Sequence, residues 1–328
     1  IKLPLGVAIG TFALLIGGVV WRAVTVPYGV EAGAIPDMPL GQWIDGLFVP
    51  VAAGIIVWTV ASCVGAVMLA SAVVRYGVSP VRTYLPIVLY GVTVCTPGSP
   101  RGTAGGVLLR LRVGWVAVSV VVAFKRSYQF ENVFKAAFYV GIMPMLYSQA
   151  TCIVPVILVA LVVYGRTLRE AAVALVGVLT PFVLCSVAWW WLGEPLAYVA
   201  GCFADSLGAI GETPAWTIAD APLWIQIYTG LLGLSLLFAL FLLTGSLASL
   251  RTRARQVYIY CIWLILFAAI PVVMGECSVF MPLLGIPLCV IVSSTFMHGR
   301  GWLYAAVYIL LVVAAFAVNI LPVFAEGV

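Results

Sequence analysis

Charge is what this sequence has least of. Only 8% of its 328 residues are Asp, Glu, Lys or Arg, whereas soluble globular domains carry about 25%. With 64% hydrophobic residues and a mean hydropathy of +1.20, the chain cannot cover a soluble surface. Its apolar residues form long runs, not alternating stretches of about ten, which excludes an outer-membrane barrel. The composition therefore predicts an all-α fold, a polytopic bundle of transmembrane helices.

Ligands for metals and cofactors are scarce as well. The single histidine, His298, has no second His or Cys nearby, so it does not make a metal site. The sequence has no CxxC pair, Gly-rich phosphate loop, nucleophile elbow, or haem or iron–sulfur spacing. We therefore expect no metal and no cofactor. Because the +5 net charge comes from short loops between apolar runs, we also expect no nucleic-acid partner.

Charges and apolar lengths together predict eleven membrane segments. We place them at residues 4–26, 47–74, 84–97, 106–124, 134–148, 151–165, 171–192, 223–247, 257–274, 278–296 and 302–321. Most Lys and Arg residues then fall on one side and most acids on the other. Since cytoplasmic loops are rich in Lys and Arg, we expect an N-in, C-out protein of the bacterial inner membrane. No soluble domain or repeat interrupts the pattern, which predicts a single transmembrane domain, residues 1–328.

One stretch, from Glu131 to Glu170, carries charge only at its two ends. A single crossing needs about 20 apolar residues, but roughly thirty are present, and Pro144 and Pro155 lie among them. We therefore predict a short hairpin of re-entrant type, residues 134–165, with both ends on the cytoplasmic side. Each arm has only about 15 residues, or ~22 Å, against a hydrocarbon core of ~30 Å. The turn should stop short of the far surface.

The turn of this hairpin, residues 147–151, is polar. Below the membrane surface it is tolerated only inside protein or beside a water-filled cavity, because lipid cannot satisfy its backbone groups. Ser148 and Gln149 are therefore candidate intramembrane site residues. The alternative is a local thinning of the bilayer around two short helices, which would leave no site.

A resemblance appears in the same region. The run FKAAFYVG followed by LYSQATCIVPVILVALVVYGRTLREAAVALVGVLTPF resembles the central signature of an uncharacterised family of polytopic inner-membrane proteins of the Bacteroidota. The earlier stretch VRTYLPIVLYGV is similar to a second block of that family, so the resemblance covers about residues 50–192. It implies a polytopic envelope protein and lends no activity. Some members carry a label as carotenoid-cleaving oxygenases. Those enzymes need four metal-binding histidines, and this chain has one, His298, so we reject that label for it.

Two outer loops are long enough to hold interfacial helices. In the first, residues 27–46, Asp37 is placed to cap a helix whose Leu40 and Ile44 share a face. In the second, residues 193–222, apolar residues recur at helical spacing, and tryptophans flank the loop like an aromatic belt. The second loop contains Cys202, and a predicted outer turn further along the chain contains Cys277. An oxidising periplasm would permit a disulfide between them, and the sequence leaves that pairing open.

Four arginines break the positive-inside pattern. Arg22, Arg101, Arg110 and Arg112 fall at or near the outer leaflet, and the last two lie inside a segment that must otherwise span. They either snorkel to the outer headgroups or face the bundle interior. Because a guanidinium matches phosphate oxygens, an inward-facing cluster would bind a lipid phosphate or diphosphate. Snorkelling and pairing with loop acids would instead give no binding site.

The outer acids are the complement of these arginines. Glu31, Asp37 and Asp45 are the candidate catalytic residues, since a positioned carboxylate accepts the proton of an attacking hydroxyl. The alternative is that they are solvated loop charges. Glu276 lies in a tight turn between two apolar segments, where it is a candidate intramembrane acid, proton carrier or arginine partner.

Three functions of different classes fit these features, and whether the chain is an enzyme is left open. The first is a membrane-embedded glycosyltransferase that uses a polyprenyl phosphate at the periplasmic face, or another lipid-phosphate-handling protein there; the similarity is one of layout. The second is a non-catalytic subunit or scaffold of an envelope complex. The third is a transporter or lipid-moving protein. The expected partners are therefore membrane lipids, including a polyprenyl phosphate, and proteins of an envelope complex.

The orientation makes a testable prediction. Single cysteines introduced at Gly41 and Gly211 should react with a membrane-impermeant thiol reagent added outside, because both lie in predicted outer loops. Cysteines at Ser79 and Thr252 should react only after permeabilisation. The opposite pattern of labelling would overturn the topology.

Overall fold

The computed structural model describes residues 4–25, 38–47, 51–75, 84–94, 130–208, 223–246, 252–273, 277–298 and 302–325. These residues form twelve α-helices and one 3₁₀ helix, with no β-strand among them, which confirms the all-α class. The elements are α1 Leu5–Thr25, α2 Pro39–Leu47, α3 Val51–Arg75, α4 Leu85–Val94, α5 Phe130–Leu146, η1 Ser148–Ile153, α6 Pro155–Val163, α7 Leu168–Trp191, α8 Tyr198–Gly208, α9 Leu223–Ser246, α10 Thr252–Val273, α11 Cys277–His298 and α12 Trp302–Ala325.

These helices correspond to the predicted membrane segments. A helix stands at each of the predicted segments except 106–124, which lies outside the described residues. Four helices, α1, α7, α9 and α12, contain stretches long and apolar enough to cross a membrane. By contrast α4, with 10 residues, and α6, with 9, are too short to cross alone, since a crossing takes about 20 residues. The count of eleven crossings and the N-in, C-out orientation stay predictions.

Helices also stand in the two predicted outer loops. Helix α2 begins two residues after Asp37 and packs Leu40 and Ile44 against the core, while Trp43 is exposed. Helix α8 buries Val199 and leaves its opposite face exposed. Both helices are therefore amphipathic, as their sequence spacing predicts. Their position at a membrane surface stays a prediction.

Helix α4 is enclosed by other helices. Its residues from Leu85 to Thr93 are all buried, and it packs against α1, α3, α11 and α12. Tyr228 of α9, itself fully buried, donates its hydroxyl to the carbonyl oxygen of Val92. The last carbonyls of a helix lack helical partners, so this bond satisfies one of them away from water. A helix this short is stable in an apolar medium because protein covers it.

Helices α5 and α7 approach each other at glycines. A Cβ added at Gly177 would stand 2.7 Å from the Ala137 Cβ and 3.0 Å from the Phe134 carbonyl oxygen. A Cβ at Gly141 would stand 2.9 Å from the Val178 Cα. Small residues at such points let helix backbones approach closely, which is a main source of helix association in membranes.

The two helices also run in the same direction. Their middle parts meet at Gly177 and Ala137, and the last turn of α5 shares a cluster with the second half of α7 that includes Met145 of α5 with Phe182 and Cys185 of α7. Two parallel helices require the chain between them to come back, so α6 runs opposite to both. This return is the path that the hairpin at residues 134–165 requires.

Close contacts arrange the described helices in two groups. In the first group, α5 packs on α2 and α7, and α7 packs on α8; in the second, α1, α3, α9, α11 and α12 pack on α4 or on one another. The groups meet where η1 and α6 pack against α10, which in turn packs on α11. The interruption between α5 and α6 therefore lies at the junction of the two groups.

The glycine contact between α5 and α7 makes a prediction about stability. Gly177→Ala should lower the free energy of unfolding by about 1–3 kcal/mol, because the added methyl overpacks a backbone contact. Gly230→Ala is the matched control, since that helical glycine in α9 has no atom within 4 Å of the new Cβ. It should be neutral or stabilise by up to about 1 kcal/mol through helix propensity. Denaturant unfolding in detergent measures both; equal effects would contradict the packing.

Candidate functional site at the helical break

Most candidate site residues from the sequence analysis lie outside the residues that the structure describes. Glu31, Asp37, Arg101, Arg110, Arg112 and Glu276 lie outside the described residues. For Asp45 and Gln149 only the backbone is described, in α2 and η1. Arg22 is half-buried in the last turn of α1, where a cation complements the helix dipole. The general-base and lipid-phosphate roles of these residues stay predictions.

The structure does describe the turn between α5 and α6, which we name the helical break, residues 147–154. Tyr147 adopts an extended backbone with φ −141° and ψ 121°, and the 3₁₀ helix η1 follows it directly. Pro155 stands at the first turn of α6, where its missing N–H needs no partner. The chain thus leaves one helix and enters the next without a conventional loop.

Ser148 lies inside the protein. Its exposed fraction is 0%, that of the neighbouring Tyr147 is 2%, and η1 packs against α5, α8 and α10. The backbone is satisfied locally, because the amide N–H of Ala150 donates to the Tyr147 carbonyl at 3.0 Å and Val154 donates to Thr151 at 3.0 Å. The side chain of Thr151 also bonds to the Ser148 carbonyl. The break is therefore a polar element held within helices, and its depth in a membrane stays a prediction.

A buried ion pair closes the far end of α6. Glu170 is 1% exposed, and its Oε1 accepts a hydrogen bond from Arg166 Nη1 at 3.2 Å. Its Oε2 accepts from the backbone N–H of Thr167 at 3.2 Å, as in a capping box. Among the described residues, Glu170 is the only charged side chain classed as buried. The pair therefore fixes the turn between α6 and α7.

In the predicted topology, Glu170 is only a charge at the cytoplasmic end of the hairpin, and that position stays a prediction. The spacing Thr167-x-x-Glu170 before an apolar run is also a capping-box signal, which could have predicted its structural role. A contrasting pair shows the difference. Glu131 and Lys135 bond to each other in the first turns of α5 but are both exposed, and Lys135 holds the pKa of the Glu131 carboxyl below its usual range.

Helix α10 packs along the break and α6 with polar side chains at their contact. Gln256 Nε2 donates to the carbonyl oxygen of Val163 at 3.2 Å, which ties the first turn of α10 to the last residue of α6. One turn further on, Tyr260 is 1% exposed and lies near Tyr164. Its hydroxyl has no hydrogen-bond partner among the described residues. The α6–α10 contact therefore contains buried polar groups as well as apolar packing.

Two further expectations concern cysteines and metals. Cys202 of α8 is a free, half-buried thiol, and the side chain of Cys277 is not described. Within the described part of the chain, no group of three or more His, Cys, Asp or Glu side chains could hold a metal ion.

No protein-family model matches this chain, and neither a curated protein nor a solved structure is significantly similar to it. The resemblance to the Bacteroidota family stays a prediction.

The buried ion pair makes a prediction about stability. Glu170→Ala should lower the free energy of unfolding by about 3–5 kcal/mol, because it leaves the mostly buried Arg166 guanidinium without its carboxylate. The double variant Arg166→Met with Glu170→Leu should recover part of the loss, since neither buried charge remains.

Glu131→Gln is the matched control, because it breaks a pair that is exposed to solvent and should leave the unfolding midpoint unchanged. Thermal unfolding in detergent measures all three variants. Equal midpoints for Glu170→Ala and Glu131→Gln would show that the inner pair is not a structural anchor.

Proposed function

We propose that the chain is a multi-pass protein of the bacterial inner membrane that moves a lipid or another amphipathic substrate, with the helical break as its moving element. One observation carries the proposal: the break lies at the junction of two helix groups and is enclosed by protein. In many carriers, interrupted helices at the interface of two bundles form the substrate site, and one bundle rocks against the other.

The conformation of the break supports a hinge. A 3₁₀ run of six residues, Ser148–Ile153, is longer than the three or four that are usual, and its hydrogen-bond geometry is poorer than that of an α-helix. Changing its backbone angles therefore costs less than bending a regular helix. The 3₁₀ turn between α5 and α6 is therefore the part of the hairpin that changes conformation most easily.

The two ends of the returning arm differ in firmness. At the α7 end, the Arg166–Glu170 pair and the capping bond to Thr167 fix the turn. At the α5 end, the break is held by short-range backbone bonds and side-chain packing. The start of α6, at the break, would therefore move, while its end stays held at the start of α7.

Two other functions remain as alternatives. A glycosyltransferase or other protein that binds a polyprenyl phosphate would use Arg101, Arg110 and Arg112 with Glu31, and all of these lie outside the described residues. A scaffold of an envelope complex would use the outer loops for docking and needs no moving element. The arrangement of the described helices favours transport over both, because only transport makes use of an enclosed break.

Accessibility of the break tests the proposal. In a variant without native cysteines, Ser148→Cys should react with a small thiol reagent in proteoliposomes, because a carrier exposes its site in a minor state populated at about 0.1–10%. Ala174→Cys is the matched control: Ala174 is likewise buried, with an exposed fraction of 1%, but α7 there belongs to the close contact with α5. We expect the Ser148→Cys variant to react at least about tenfold faster than the Ala174→Cys variant. Equal protection of both positions would contradict transport and favour a scaffold.

A further inference from the structure

Helices α5, α7 and α10 begin at the same end of the first helix group. Gln256, near the start of α10, bonds to the carbonyl oxygen of Val163, and α7 begins five residues after Val163, at Leu168. Helix α5 runs parallel to α7, so its start at Phe130 lies at this end too. We name it the basic end, because two of its described side chains, Arg169 and Arg255, are exposed arginines outside any ion pair with a described residue.

The charges at the basic end do not balance. Its two acids are already engaged, Glu131 with Lys135 and Glu170 with Arg166. Arg169 and Arg255 are exposed, and neither forms an ion pair with any residue that the structure describes. At the opposite end of α7, by contrast, Glu194 and Asp205 are exposed. Among the described residues, these two guanidinium groups therefore have no acidic counter-charge.

The surface below one of these arginines is apolar. Helical residues seven apart lie on nearly the same face, so Val176 and Val183 continue the line of Arg169 along α7. Both valines are more than half exposed, at 57% and 55%. The fourteen residues from Arg169 to Val183 span about 21 Å at 1.5 Å per residue, which exceeds the ~15 Å of one leaflet of a ~30 Å hydrocarbon core, so the track is long enough for an acyl chain. A charged group thus stands at the head of an exposed apolar track.

Helix α10 shows a partial version of this layout. Leu266 lies eleven residues, or three turns, after Arg255 on the same face and is 55% exposed, while Ile262, seven residues after Arg255, is half-buried against the core. In a bilayer, such a track contacts lipid tails, and the arginine at its end reaches the headgroup layer. A guanidinium binds phosphate oxygens through two parallel hydrogen bonds.

We propose that Arg169 and Arg255 bind the headgroup phosphates of anionic phospholipids, whose acyl chains lie along the exposed faces of α7 and α10. The occupant is a lipid with a net negative headgroup, because a zwitterionic headgroup brings a cation that these arginines would repel. Clustered Lys and Arg next to membrane helices attract anionic lipids in this way. The proposal holds whether or not the chain is a transporter.

Lipid binding to the purified full chain tests this inference. Dioleoyl phosphatidylglycerol, titrated into the protein in detergent and followed by native mass spectrometry, should bind more tightly than dioleoyl phosphatidylcholine. Arg169→Gln and Arg255→Gln should each weaken phosphatidylglycerol binding about fivefold and leave phosphatidylcholine unaffected. Both arginines are exposed, so the variants should keep the unfolding midpoint of the parent protein.

The control is Lys135→Gln, which removes one positive charge at the same end from a lysine already paired with Glu131. It should change phosphatidylglycerol binding less than twofold. A loss equal to that of the arginine variants would mean diffuse attraction and would overturn the site, as would unchanged binding in the arginine variants. Displacement of the lipid by millimolar inorganic phosphate would also overturn it, because the site would then serve a free anion.

Discussion

The interruption between α5 and α6 depends on one constraint: an apolar medium cannot satisfy a free backbone N–H or carbonyl group. The chain meets it by converting the break into a 3₁₀ turn whose bonds are local, and by covering Ser148 with neighbouring helices. The same constraint explains α4, whose Val92 carbonyl receives the hydroxyl of Tyr228. The short helix α4 and the break are thus both enclosed by neighbouring helices.

The existence and the approximate bounds of the helices could be predicted well from the sequence. Charges at Glu131 and Glu170, with Pro144 and Pro155 between them, require the chain to turn back, and the structure has its break at Tyr147, where the polar run begins. This works because hydropathy and proline act locally. Whether each helix crosses a membrane needs a lipid reference that neither the sequence nor the fold supplies by itself.

Pairings between helices were harder to predict, because they depend on side chains far apart in the chain. Nothing local marks Gly177 as the residue that meets Ala137, or Gly285 as the one that receives Thr93. Glu170 shows a different limit: two principles apply to it. The positive-inside pattern concerns only its side of the membrane, which stays a prediction, whereas the capping box predicts its place in the first turn of α7, which the local hydrogen bonds confirm. Arg101, Arg110, Arg112, Glu31 and Asp37 cannot be weighed in this way, since they lie outside the described residues.

Helix α7 links the features that matter for function. Its start holds the buried Arg166–Glu170 pair, its middle meets α5 through Gly177, and its exposed face carries Arg169 above a track of valines. If Arg169 binds lipid as proposed, α7 is held by α5 on one side and by lipid on the other, which makes it a poor candidate for the moving part. The freedom of the hairpin is then confined to η1 and α6, which are the elements that contact α10 and the second helix group. Anchoring by lipid and hinging at the break are therefore compatible, because they act on opposite sides of the same short hairpin.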